Sequence, residues 1–362
     1  MASILQVPDW NVTLYNLSND PIMDISDLVS FSLRMRLNDS ANVQFKLDLD
    51  KFERRCALIN AEPKTILYPA STEIKISRNG NLLFGGIIAT ADSVFDVNSK
   101  TLEVTADSYL EYFSKRLLSK TYEGVERAQI AWDAIDTVQS EDYGNLGITQ
   151  GTLVDTYESV LTADYRDVKS IIQLYTYAQP VTYDFEITPN KVFNTYLHLG
   201  SERPEIQLVY PYNITSMKIP RSSDSLYNQI IGIGSGIGEE RIQAIVQDIP
   251  SKIRYRVREN KVLYNSVVNQ DTLIENLEGE LVQAINVLEL PEITVSGDAV
   301  DLDLVRVGDS VYVRSTNSTY NNDLEGMFRI YEMNITVSSD VSETVSIKFY
   351  NPDSGGAIQS DL

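Results

Sequence analysis

Four basic side chains occupy alternate positions in one short stretch. Lys252, Arg254, Arg256 and Arg258 stand at the even numbers, with Ile253, Tyr255 and Val257 between them. On a strand, successive side chains point to opposite faces, so this spacing predicts one apolar face and one continuous positive face. Like charges in a row repel unless opposite charge answers them. The stripe is therefore a candidate dock for an acidic surface on a neighbouring subunit, with salt bridges inside this acidic chain or phosphate as the other uses. The run Gly232-Ile233-Gly234-Ser235-Gly236-Ile237-Gly238 also draws attention. A dinucleotide fingerprint needs glycines at the first, third and sixth positions between a strand and a helix; here Ile237 holds the sixth place and a strand follows. No Gly-Lys-Ser/Thr completes a P-loop, so the run reads as a flexible hairpin turn.

Asp298, Asp301, Asp303 and Asp309 crowd one stretch, but their spacing does not match an EF-hand loop. They read as carboxylates in a turn and at strand ends. The single histidine, His198, has no G-x-S-x-G elbow to serve, and one histidine with one cysteine cannot build a multi-histidine or Cys-Cys-His-His metal site. Cys56 lies in a short helical stretch and reads as a small buried hydrophobe. No catalytic, cofactor or metal residues are assigned, and the chain reads as a protein that is not an enzyme and needs no cofactor. Carboxylate pairs suited to glycoside hydrolysis depend on spatial separation, on which the sequence is silent.

The chain has 362 residues and a formal charge of −21. The excess is uneven: residues 1–120 carry 15 acidic and 13 basic side chains, 121–202 carry 13 and 4, and 203–362 carry 23 and 13. Such a charge repels a phosphate backbone, which disfavours ordinary nucleic-acid binding and leaves only a wall past which DNA slides. The opening MASILQVPDW has no basic segment followed by an apolar stretch, and no apolar window is long enough to span a membrane. The expectation is synthesis in a reducing cytoplasm without membrane insertion.

The elements that would position these residues are mostly strands. From Val29 to Leu37 every odd residue is apolar and every even one polar, and 43–49 repeats the pattern. Asn79-Gly80 between Ile74/Ile76 and Leu82/Phe84 predicts a hairpin, because both turn residues accept positive φ. Leu102, Val104 and Ala106 continue the alternation. From Ser108 the period becomes helical, with helices expected over 108–118, 127–138 and after Asp164, then a hairpin around Pro189-Asn190. Strand character returns at 205–209, 229–234, 241–246 and 252–257. A helix is expected over 272–287, capped by Asp271, and short strands run from 293 to 350. No residue-level internal repeat is visible, so any symmetry between the two strand-rich parts is architectural. The fold class predicted is α+β and β-rich, with two small antiparallel β-barrel tube domains and two α/β insertions.

The order of elements resembles a known family. VSFSLRMRL (29–37), LLFGGII (82–88), LYNQIIGIG (226–234), LPEITV (290–295), GDSVYV (308–313), MFRIYEMNITV (327–337) and VSIKFYN (345–351) are similar in order and pattern to the hub proteins of bacteriophage tail tips and baseplates. The resemblance spans nearly the whole chain. It implies a homotrimer whose chains each supply two tube-like barrels. Together these form a pseudo-sixfold ring that joins a hexameric tail tube or distal tail protein to a trimeric spike, fibre or tail-tip protein, with DNA leaving through the bore. The corresponding domains are a first tube domain at 1–118, an acidic α+β domain at 119–203, a second tube domain at 204–250 and 291–350, a strand-helix insertion at 251–290 and a tail at 351–362. A virion location follows, with DNA passing but not specifically bound. An acidic bore is expected, since carboxylates give phosphates no place to stick. The competing readings are a carbohydrate- or receptor-binding tail protein and a hydrolase. Trp10 and Trp132 are too few to suggest a row of sugar-stacking aromatics, and the poor supply of His and Cys disfavours hydrolysis.

Overall fold

A computed structural model of the chain describes residues 8–349 except 26–27, 98, 178–180, 237–240, 265–266, 286–287, 290, 298–299, 301, 316–323 and 339–341. The tail at 351–362, Asp298 and Asp301 lie outside the described residues. Alternating apolar residues build the first part from β1 (Trp10–Tyr15), β2 (Pro21–Ile25), β3 (Ser30–Arg36) and β4 (Asn42–Asp48). Helix α1 (Leu49–Leu58) follows, capped by the Asp48 carboxylate, which accepts from the Lys51 N–H at 2.9 Å. Its inner side buries Phe52 and Cys56, and burial raises the Cys56 thiol pKa. After α2 (Pro63–Ile66) come β5 (Glu73–Arg78), β6 (Asn81–Asp96) and β7 (Ser99–Ser108). The Asn79-Gly80 turn has φ of 51° and 81°, the left-handed values expected of it.

The helix expected from Ser108 to Leu118 is shorter. It consists of α3 (Tyr109–Tyr112) and one 3-10 turn at 113–115, because the chain then enters β8 (Leu117–Glu126). The middle region continues with α4 (Arg127–Gln139), β9 (Thr149–Gln150), β10 (Glu158–Asp167), α5 (Val168–Leu174), β11 (Asp184–Ile187) and β12 (Val192–Tyr196). Strands β8 and β10 pair as a ribbon, and β11 and β12 form the hairpin expected around Pro189-Asn190. This region has its own core, in which Tyr109, Phe113, Ile130, Ile135, Ile171 and Phe193 are buried.

The remaining chain is β13 (Glu202–Tyr210), β14 (Ile214–Lys218), β15 (Arg221–Ser222), β16 (Gln229–Ile233), β17 (Gln243–Gln247), α6 (Ile249–Tyr255), β18 (Glu259–Leu263), α7 (Gln270–Ala284), β19 (Leu288–Glu289), β20 (Glu292–Ser296), β21 (Ser310–Ser315), β22 (Leu324–Val337) and β23 (Glu343–Phe349). The fold is α+β and β-rich, with largely antiparallel sheets. Two expectations change. Strands β16 and β17, read as part of the second tube domain, pair with β18 in a separate three-stranded sheet covered by α7. The two strand-rich parts are also joined to each other. Among the described residues their strands run as one hydrogen-bonded path, β14-β20-β23-β22-β3-β4-β7-β6-β5-β1-β2, with β21 and β13 branching from β22, and no closed ring of pairings is seen. One hydrophobic core serves both halves, from Trp10, Phe31 and Phe45 to Ile293, Ile335 and Phe349.

The two halves repeat each other strand by strand. The order β3-β4-β7-β6-β5-β1 in the first matches β14-β20-β23-β22-β21-β13 in the second. The match extends to register. The β5·β6 pairing ends at Glu73·Ile87 and the β21·β22 pairing at Ser310·Arg329. Two residues further on, each long strand has a bulge that skips a residue, Ala89 in β6 and Tyr331 in β22. Phe31·Phe45·Val104 crosses the first half where Met217·Ile293·Ile347 crosses the second. Along these crossing rows only apolar character survives, which explains why no repeat is legible in the sequence. One strand departs: β1 runs antiparallel to β5, whereas β13 runs parallel to β21. The second half has no counterpart of β2, so the chain reverses once less before the matched strand.

Candidate functional site

The basic stripe is not a strand. Asp248 accepts from the Ser251 N–H at 2.7 Å and Pro250 occupies the first turn, so Ile249–Tyr255 is the helix α6. Arg256 ends it with φ of 64°. At 100° per residue the even positions no longer share a face, and the continuous positive face expected of Lys252, Arg254, Arg256 and Arg258 is absent. Lys252 donates to the side-chain amide oxygens of Gln229 and Gln247. Arg254, Arg256 and Arg258 are exposed, and the Arg254 guanidinium lies 5.0 Å from the Tyr255 ring centroid. The buried Asn228 holds the turn after α6: its side chain donates to the Arg256 carbonyl at 2.7 Å and accepts from the Arg258 N–H at 2.8 Å.

The glycine run also has a packing role beyond a turn. Gly232 lies inside β16, and a Cβ there would meet Leu277 of α7 at 2.4 Å. Glycine lets the helix approach the sheet closely. The described aspartates act separately. Asp303 pairs with Arg78 at 3.1 Å, while the buried Asp309 accepts from the N–H groups of Ser201 at 2.8 Å and Arg306 at 3.0 Å. No group of three or more His, Cys, Asp or Glu among the described residues is placed to hold a metal ion. His198 is exposed, and its pKa is lowered by partial desolvation and then by the nearby Arg329 charge. Trp10 is buried and donates to Glu343 at 2.7 Å, and Trp132 stacks on Phe193.

The strongest polar constellations join the parts of the molecule. Where β3 meets β22, Glu332 is 5% exposed and takes Arg34 at 2.6 Å, Arg36 at 2.8 Å and Lys348 of β23 at 3.1 Å. Burial opposes its ionisation, but the hydrogen bonds from these cations outweigh it and hold the carboxyl below its ordinary range. A second bridge joins the halves at Glu343 of β23, which accepts both nitrogens of an Arg78 fork at 2.9 Å. The middle region docks through the buried pair Lys191–Glu73 at 2.8 Å, where the Tyr109 hydroxyl donates to the same carboxylate at 3.2 Å. Lys169 reaches Glu111 at 2.7 Å and Asp39 at 3.4 Å. Burial works against both carboxylates, and the Lys169 ammonium together with Ser40 hydrogen bonds keeps each below its ordinary pKa. Arg329 of β22 donates to Asp184 and, at 2.8 Å, to the Leu199 carbonyl. Sequence reading missed these charges because their partners stand up to 298 positions apart.

The wet face of the shared sheet carries Ser32, Thr336, Thr294 and Ser346 among matched charges: Arg34 and Lys348 on Glu332, and Lys46 on Glu103 at 2.6 Å. This is a surface of small polar and charged side chains.

The fold is shared with phage tail proteins. A tail protein from Neisseria meningitidis MC58 superposes with a TM-score of 0.68 at 11% identity, covering 96% of this chain and 99% of that one. The 43 kDa tail protein of prophage MuSo2 from Shewanella oneidensis gives 0.66 at 12% identity, covering 95% and 99%. The E. coli c3393 protein, a type VI secretion system component with structural similarity to the T4 bacteriophage tail proteins gp27 and gp5, gives 0.52 at 10% identity, covering 92% and 76%. No protein-family model and no curated protein matches the sequence.

Proposed function

We propose that the chain is a structural component of a phage tail, a hub of the tail tip or baseplate that assembles as a homotrimer and acts without catalysis. Its role is to join a sixfold tail tube or distal tail protein to a threefold spike, fibre or tail-tip protein. The observation that carries this reading is the register-matched duplication of the two halves. A chain holding two equivalent strand units lets three copies present six, which is what a threefold-to-sixfold junction requires. The fold shared with tail proteins supports the same reading. The wet face of the continuous sheet would line the bore through which DNA leaves. Its Ser, Thr and Asn side chains, its carboxylates and the cations paired on Glu332 and Glu103 would hold phosphates poorly, so DNA would slide past without specific binding. Asp92, Asp96, Asp107 and Glu292 stand on the same face, so the proposed lining carries more carboxylates than cations, as the acidic net charge leads one to expect.

The exposed Arg254, Arg256 and Arg258, around the end of α6, belong in this reading to a contact with an acidic protein neighbour. No helix among the described residues is long and apolar enough to cross a membrane, and a virion tail location is proposed. The test is the mass of the purified chain in solution, alone and with a tail-tube protein. A trimer that caps the tube supports the reading, and a chain that stays monomeric in both conditions refutes it.

A further inference from the structure

The duplication has an edge left over at each end. Inside the chain the halves are joined by β3 lying antiparallel along the distal half of β22, with Phe31 opposite Val337 and Ser32 opposite Thr336. The matched strand of β3 is β14, and the matched strand of β22 is β6. Among the described residues β14 pairs only with β20, and the distal half of β6, residues 89–96, pairs only with β7. Both therefore present an open backbone edge where their counterparts are joined. Unpaired edges template pairing with another chain.

We propose that β14 of one copy pairs antiparallel with the distal half of β6 of the next copy, repeating between chains the β3·β22 junction made within each. This rests on the ring reading above and names the surface that would close the ring. The matched register sets Met217 opposite Phe95 and Lys218 opposite Val94. The side chains suit it. Phe95 is 68% and Val94 40% exposed on a strand whose inner half is buried, and Met217 is half-buried. At the internal junction the residues matched to Phe95 and Met217, Val337 and Phe31, are both buried. Lys218 would sit diagonally between Asp92 and Asp96, which flank Val94 on the same face of β6, so charge as well as apolar contact favours the pairing. Because the two edges differ, the contact is head-to-tail, and such contacts close into rings when the rotation allows.

The test is cross-linking of the full chain carrying Phe95→Cys and Met217→Cys together. Directly opposed residues of an antiparallel pair hold their Cβ atoms about 4.5–5.5 Å apart, near enough for a disulfide after slight adjustment. Cys56 is fully buried and should not react. Ser32→Cys with Thr336→Cys, at the internal junction, is the positive control and should close within one chain. The expected result is a covalent closed trimer on non-reducing electrophoresis from the double variant and monomer from either single variant. A trimer by light scattering that does not cross-link overturns this junction and leaves the ring reading standing. A product that stops at the dimer overturns the head-to-tail closure. A chain monomeric at every concentration overturns both the junction and the ring.

Discussion

Replacing Glu332 by Gln keeps the shape of the side chain and removes the charge that three cations share. The carboxylate is 5% exposed and is held by Arg34, Arg36 and Lys348, whose side chains retain 36%, 29% and 37% of their exposure. Breaking a buried ion pair by removing one partner costs about 3–5 kcal/mol. Here the cations can turn toward water, so solvent screening lowers the expected loss to about 2–3 kcal/mol. The native carboxyl titrates below its ordinary range, so the folded state binds fewer protons than the unfolded one. Its contribution is complete above the unfolded carboxylate pKa and is lost as pH falls through the lowered native value. Wild type and E332Q should therefore differ at neutral pH and converge in acid. Trp10 reports on this region directly, because its ring lies 4.7 Å from that of Phe31 at the same junction. In a Trp132→Phe background, urea unfolding followed by Trp10 fluorescence should show a lowered midpoint with an unchanged slope. A loss below about 0.5 kcal/mol, within the range of an ordinary surface substitution, or a gap that persists unchanged in acid, would show that the charge does not hold the halves together.

Three further expectations concern single joints. Lys191→Met leaves Glu73 buried without its cation and should cost about 3–5 kcal/mol, most of it regained in K191M/E73Q; denaturant unfolding of both variants tests this, and equal instability of the two would contradict it. Gly232→Ala forces a Cβ against Leu277 and should cost about 1–3 kcal/mol, with the cost reduced when Leu277→Ala is added, a coupling a double-mutant cycle measures. Asn228→Ala frees the Arg256 carbonyl and the Arg258 N–H, at about 1–3 kcal/mol, and should speed limited tryptic cleavage between Arg254 and Arg258; an unchanged digestion rate would remove that role.

Legibility followed the distance over which a signal acts. The alternation of 29–37 and 43–49, the Asn79-Gly80 turn, the helix at 127–138 and the burial of Cys56 were readable because each depends on neighbours within a few residues. The stripe at 252–258 misled for a local reason too. Alternation over seven residues fits a strand, yet Asp248 followed by Pro250 is a helix start, and the capping hydrogen bond decides the matter. Strands β8 and β10 left little trace, since a largely exposed ribbon needs no alternating apolar face.

Taken alone, the sequence determines which side of each strand is dry, that the protein is β-rich and acidic, and that it lacks a supply of histidine and cysteine for metal or nucleophilic chemistry. It does not determine which strand lies beside which. That β22 takes β3 as its neighbour, that β16 and β17 leave the second half for β18, and that two halves match in register down to a bulge are outcomes of long-range pairing. Backbone hydrogen bonds are the same for every residue type, so a partner strand is selected only when the whole core closes and buried charges such as Glu332 find their cations across 298 positions.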